Sequence, residues 1–187
     1  MKIVIILGSV REGRQSNKVS NELAKIFLTK TKASIEILDL ASYNLPLMTE
    51  KISKMPQAPE ALLTFADKVN QADALIFVSP EYNGTYTGVF KNAIDYLFKE
   101  FHRKPIGVVS VASGKMGGIN CSLQLQHLVL SLGAYPMPLK LLVPFVQNAF
   151  DADENLIEEG LIKSFDAFTN EFLWFAEAIV KHKQTTA

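Results

Sequence analysis

The segment Lys2-Ile3-Val4-Ile5-Ile6-Leu7-Gly8-Ser9-Val10-Arg11-Glu12-Gly13-Arg14-Gln15-Ser16-Asn17 is apolar from Ile3 to Leu7 and then abruptly polar. Residues that are apolar on successive positions, not alternate ones, mark a strand covered on both faces. The run is too short for the core of a secretion signal, and Gly8, Ser9, Arg11, Glu12 and Arg14 are the wrong flank for one. Beyond the polar loop, Val19, Leu23, Ile26 and Phe27 fall on one face of a helix. The segment therefore reads as a buried strand, a loop and a helix start.

The same unit recurs along the chain. Apolar runs appear at Ile35 to Leu38, Ala74 to Val78, Ile106 to Ala112 and, more weakly, Leu139 to Val143. Helix-period stripes lie between them: Leu62, Phe65, Ala66 and Val69, then a long one with Leu161, Phe165, Phe168, Phe172, Phe175 and Ile179. Strand alternating with helix implies right-handed crossovers and a parallel sheet covered on both sides. The expectation is an α/β, doubly wound, five-stranded parallel sheet in three layers, with residues 1–187 forming a single domain. Two stretches stand apart. Leu45 to Pro59, with Pro46, Pro56 and Pro59, is the one long irregular connection, either a functional flap or loosely ordered. The tail His182 to Ala187 is expected to fray.

Composition narrows the function classes. Of 187 residues, 19 are Lys or Arg and 19 Asp or Glu, so the net charge is zero with the three His neutral. Such a chain has no global field to draw it onto nucleic acid or an anionic membrane. A chain that is 48% apolar and 20% charged folds as an ordinary globular protein. The apolar stretch Leu139 to Val146 is broken by Lys140 and Pro144 and falls short of the ~20 residues of a membrane span. The single cysteine, Cys121, cannot form an internal bridge and suits a reducing compartment. The expected location is the cytoplasm.

In an open α/β sheet, ligands sit beyond the carboxyl ends of the strands. Three loops leave strands at that edge. In the first, Gly8 to Asn17, backbone N–H groups at a helix start, the Ser9 and Ser16 hydroxyls and the Arg11 cation together would hold a phosphate dianion. The plainer alternative has Ser16 merely capping the helix and the arginines in water. The loop lacks G-x-G-x-x-G and G-K-[ST], so it fits neither a dinucleotide fingerprint nor a P-loop. In the second, Ser79 to Gly88, Pro80 and two glycines fix a turn while Tyr82 and Tyr86 offer flat surfaces, suited either to a planar heterocycle or to ordinary aromatic packing. In the third, Ala112 to Gly118, three glycines permit close backbone approach, and the next helix start aims positive dipole at the same edge; a plain turn is the alternative.

Together the loops resemble the NADPH-dependent FMN reductase family of flavodoxin-like proteins, a group that includes azoreductases and quinone or chromate reductases. The resemblance rests on Gly8-Ser9-x-Arg11 with Gly13-Arg14-x-Ser16, on Pro80-Glu81-Tyr82-Asn83-Gly84 through Gly88 to Lys91-Asn92-Ala93-Ile94-Asp95-Tyr96, and on Ser113-Gly114-x-x-Gly117-Gly118. It runs from Lys2 to about Leu142. One departure is Thr87, where many members carry proline, and that exchange is expected to loosen the loop. The resemblance implies strand order 2-1-3-4-5 and bound FMN, with NADPH or NADH as co-substrate. It implies that Ser9, Arg11, Ser16 and Asn17 hold the phosphate, with Gln15 contributing backbone. Pro80, Glu81, Tyr82, Asn83 and Gly84 would border the isoalloxazine, and Ser113, Gly114 and Gly117 its pyrimidine edge.

The activity so implied is ping-pong hydride transfer from NAD(P)H to FMN and then to a small acceptor such as a quinone, azo compound, flavin or metal oxyanion. The flavin carries the hard chemistry, so no catalytic side chain is named. The rival is a flavodoxin-type electron carrier, which docks proteins through a strongly charged face that a neutral chain does not suggest. Arg11 and Arg14 place local positive charge where a dianion needs it. Cys121 reads as a buried thiol, and His102, His127 and His182 lack metal-ligand spacing. A helix over Val89 to Lys99, apolar nearly all round, is either a subunit interface of a homodimer or tetramer or is covered by the final helix.

Overall fold

Burial divides the strands into centre and edge in the computed structural model, which describes residues 1–186. β1 (Lys2–Leu7), β3 (Ala74–Pro80) and β4 (Pro105–Val111) are buried over almost their whole length. β2 (Ser34–Asp39) and β5 (Tyr135–Val143) are the partly exposed edges of a wholly parallel sheet with order β2-β1-β3-β4-β5. β5 begins four residues before the expected Leu139. Pro136 and Pro138 argue against a central strand, but an edge strand tolerates a missing N–H, and the register irregularity opposite falls between Ile106 and Val108.

Helices cover both faces. α1 (Ser16–Lys30) and α6 (Glu159–Thr186) lie on one, where Val19, Leu23 and Phe27 meet Phe165, Phe168 and Phe172. The Phe27 and Phe172 rings meet edge-on at 5.7 Å, and Phe168 stacks on Phe172 at 6.2 Å. Toward its C-terminus the buried stripe of α6 passes to Ala176 and Val180, leaving Phe175 and Ile179 half-buried. That apolar seam carries the helix through Thr186, so the tail expected to fray is helical as far as it is described, and Ala187 lies outside the described residues.

The opposite layer holds α2 (Leu40–Tyr43), α3 (Glu60–Gln71), α4 (Gly88–Asp95) and α5 (Ile119–Ser131). α4 stops four residues short of Lys99. The Glu100 carboxylate captures the Phe98 N–H at 2.9 Å, and Leu97 and Phe101 turn inward to full burial. Cover by the final helix, one of the two readings of its apolar surface, needs revision. Phe90, Ala93 and Ile94 are buried within this layer, with the Phe77 and Phe90 centroids 5.1 Å apart, and α6 lies across the sheet from them. Leu45 to Pro59 is fastened along α4: Asn92 accepts from the Met48 N–H and donates to the Pro46 carbonyl, both at 2.8 Å, and Tyr96 donates to the same carbonyl at 2.9 Å.

The chain steps one way from β1 to β2 and the other way to β3, so the strand order reverses at β1. Beyond the carboxyl ends of β1 and β3 the outgoing loops diverge and leave a crevice.

Candidate functional site

A cavity of about 390 Å³ occupies that crevice, within the range of small-molecule sites. The first loop contributes Ser9, Arg11, Gly13, Arg14, Gln15 and Ser16; the second Pro80, Glu81 and Tyr82; the third Val111, Ala112 and Ser113. The loop after β5 adds Val146 and Gln147.

The first loop leaves polar groups without partners. α1 begins at Ser16 with Gln15 as its N-cap, no side chain caps it, and its first turn holds no acidic residue. The Ser9 and Ser16 hydroxyls, 1% and 2% exposed, have no hydrogen-bond partner, and neither has the Asn17 side-chain oxygen. Ser16 is therefore not the cap of its own helix. Leaving a buried hydroxyl unpaired costs about 1–3 kcal/mol, and a pair of them beside open helix N–H groups has the donors that an anion would need. Phosphate oxygens supply the acceptors that these donors lack, and the residues present fit FMN at this end of the cavity. Ser20, one turn further along α1, is also buried with an unpaired hydroxyl, but it is not part of the cavity wall and a bound phosphate does not account for it.

The two arginines have different tasks. Arg14 is engaged by Asp39 through both guanidinium nitrogens, Nη1 to Oδ1 at 2.7 Å and Nη2 to Oδ2, and Nη1 also donates to the Ser9 carbonyl. The same Asp39 carboxylate accepts from Ala41 N–H at the start of α2. The charge of Arg14 is thus met by the end of β2, and the expectation that both arginines serve a dianion is corrected: Arg14 braces the loop. Arg11 is exposed and forms no ion pair among the described residues, with its guanidinium carbon 6.0 Å from the Tyr82 ring centroid.

The second loop divides sharply. Tyr82 and Thr85 pair across a two-residue hairpin, whose tip is Asn83 (φ 51) and Gly84 (φ 83). Positive φ at both positions is the signature of the tight turn that Asn-Gly favours. Asn83 and Gly84 therefore shape the turn and do not line the cavity, while Pro80, Glu81 and Tyr82 do. Tyr86 lies against Phe90, centroids 6.0 Å apart, and burial raises its phenol above the usual pKa. Thr87 is 2% exposed; its hydroxyl donates to the Gly8 carbonyl and accepts from Phe90 N–H, so this position is tied down and the expectation of a looser loop is overturned. Gly8 is required there: a Cβ would stand 2.5 Å from the Phe90 ring.

In the third loop Ser113 lines the cavity, and the Gln147 side chain donates to its carbonyl at 3.3 Å. Gly114 is exposed outside the wall, and Gly117 is buried behind Leu142 and Pro144, with its carbonyl bonded to the Ser110 hydroxyl. The start of α5 is occupied: Glu81 Oε2 accepts from the Cys121 N–H at 3.0 Å. Cys121 itself is fully buried, and that burial pushes its thiol up to about 12. Sequence reading placed Gly13 and Ala112 in their loops without giving them a role, and passed over Val111, Val146 and Gln147. The last two follow β5, the neighbour of β4, at the same edge of the sheet, and strand order alone would have pointed to them.

Comparison with known proteins agrees with this geometry. Residues 1–148 match the family described as NADPH-dependent FMN reductase. A NAD(P)H-dependent FMN reductase of Pseudomonas aeruginosa is 30% identical over 164 residues, covering 85% of this chain and 86% of that protein. A quinone reductase of Escherichia coli K12 is 29% identical over 190 residues, covering 98% and 97%. Among solved structures, a flavoenzyme NAD(P)H:(acceptor) oxidoreductase from Paracoccus denitrificans superposes with a TM-score of 0.82 at 24% identity, covering 95% of this chain and 97% of that one, which attests the fold.

Proposed function

This chain belongs to the NADPH-dependent FMN reductase family, and we propose that it binds FMN in the crevice beyond β1 and β3 and reduces a small acceptor with NAD(P)H in ping-pong order. The observation that carries the reading is the pair of buried, unpartnered hydroxyls of Ser9 and Ser16 at an uncapped helix start inside the cavity. When bound, FMN supplies two-electron chemistry, taking a hydride equivalent from nicotinamide and passing it to an acceptor.

The protein's own groups bind and orient. Ser9, Ser16 and the first N–H groups of α1 donate to the phosphate, and Arg11 adds a positive charge that no carboxylate neutralises among the described residues. Arg14 holds the Ser9 carbonyl, which keeps the loop in its binding shape. Tyr82 and Pro80 form a flat wall of the cavity, and Ser113 stands on the third side. No side chain need act as an acid or base, so specificity rests on which molecule can share the open side of the cavity. Quinones, azo compounds, free flavins and metal oxyanions are the acceptor classes in this reading, and the resemblance to a quinone reductase over nearly the whole chain favours the first. The reading extends to residues 1–187 as one FMN-binding domain, a cytoplasmic location in keeping with the free buried thiol of Cys121, and a homodimer or tetramer.

Titration of the apoprotein with FMN, followed by steady-state NADPH oxidation with a quinone, tests it. Parallel double-reciprocal lines are expected. A protein that takes up no FMN overturns the reading, and a yellow protein without turnover identifies an electron carrier instead.

A further inference from the structure

Glu81 is the one acidic side chain among the residues lining the cavity, and it is fixed from two directions. Its backbone N–H donates to the Val111 carbonyl at 2.9 Å, and its carboxylate accepts from the Cys121 N–H at 3.0 Å. That second bond places a full negative charge on the start of α5. A helix N-terminus carries roughly half a positive charge, so the carboxylate more than cancels it. The helix start expected to aim positive dipole at this edge is capped by a carboxylate.

We infer that Glu81 sets the redox poise of the site: its carboxylate opposes the extra negative charge that the cofactor gains on two-electron reduction and so keeps the bound flavin a strong reductant. The inference rests on the reading that FMN occupies this cavity. The opposing arginine charge is limited, because Arg14 is engaged by Asp39 and only Arg11 remains. A negative charge in the wall weakens binding of the reduced cofactor more than that of the oxidised one. By the thermodynamic cycle, the ratio of those two affinities is the shift in midpoint potential. Glu81 thereby acts through the electrostatics of the cavity without exchanging protons or electrons.

Two variants separate charge from hydrogen bonding. Glu81→Gln keeps an oxygen to accept from Cys121 N–H and removes the charge; Glu81→Asp keeps the charge and shortens the reach. FMN dissociation constants are measured on the apoproteins by flavin fluorescence, midpoint potentials by equilibration with a reference dye, and apoprotein melting temperatures as the control for folding. For Glu81→Gln the affinity for reduced FMN should rise about tenfold relative to oxidised FMN, an upward shift of about 30 mV for a two-electron couple. Glu81→Asp should melt lower yet stay near the wild-type potential. An unchanged potential in Glu81→Gln, or equal shifts in both variants, overturns the inference. Wild-type apoprotein that binds no FMN overturns the parent reading and this one together, and that result is seen before any variant is made.

Discussion

The Thr87 hydroxyl donates to the Gly8 carbonyl at 2.5 Å and accepts from the Phe90 N–H at 3.1 Å, while the Thr87 N–H donates to the Ser79 hydroxyl at 3.2 Å. One buried side chain thus caps α4 and locks the first loop to the second. Proline could offer neither the hydroxyl nor the N–H. Thr87→Val should lower unfolding free energy by about 1–3 kcal/mol, since it removes a cap and leaves the Gly8 carbonyl unpaired. Thr87→Ser should cost less, about 0.5–1 kcal/mol, because it retains the hydroxyl and loses only a buried methyl. Urea denaturation of the two apoproteins checks the pair.

Arg11 and Arg14 should part company in a second pair of measurements. Arg14→Ala leaves Asp39 without its partner and should cost the apoprotein about 1–3 kcal/mol, the range for a lost charge-assisted bond. Arg11→Ala should leave apoprotein stability within about 0.5 kcal/mol and weaken FMN binding by about 1.5–3 kcal/mol. Equal effects of both variants on stability would contradict the assignment.

Cys121 should be inert in the folded protein. Its thiol is fully buried, lies 3.8 Å from the Ser79 and Pro80 carbonyls, and is pushed up to about 12 by burial, so little thiolate exists at pH 8. Labelling with a thiol-specific disulfide reagent should be at least ~100-fold slower than in denaturant. Rapid labelling of the native protein would mean that α5 opens readily.

Acid should weaken the tie between β2 and its surroundings. Glu36 lies 2.8 Å from the Lys68 ammonium and 3.0 Å from that of Lys2, and its pKa is lowered, chiefly by the hydrogen bond from Lys68. A lowered folded pKa means stability that is present above the ordinary glutamate range and is lost as pH falls through the folded value. Glu36→Gln should therefore cost under ~1 kcal/mol at pH 7, as befits a partly exposed network. The gap from wild type should close as pH drops below the ordinary glutamate range. A gap that persists in acid would show that the cost is steric and not ionic.

Much of the architecture is local in origin and so was visible in the residues themselves. Ile3 to Leu7 and Ala74 to Val78 are strands because burial on both faces demands an unbroken apolar run, and Leu62, Phe65, Ala66 and Val69 form a helix stripe because their spacing puts them on one side. The first loop's hydroxyls, glycines and helix start could be read locally as the groups of the anion site that we propose. Element ends were less legible: α4 ends early because Glu100 captures a backbone N–H, and β5 begins early because an edge tolerates proline.

The division of labour within the site came only from tertiary structure. Arg14 finds Asp39 25 residues away, Glu81 finds the start of α5 40 residues away, and Thr87 reaches Gly8 across 79. Periodicity records which face of an element is buried, but not which loops the strand order brings together. Each of these contacts depends on the order β2-β1-β3-β4-β5, which sets the ends of β1, β2, β3 and β4 side by side at one edge. The Arg14–Asp39 pair, the capped α5 and the locked threonine are consequences of that adjacency.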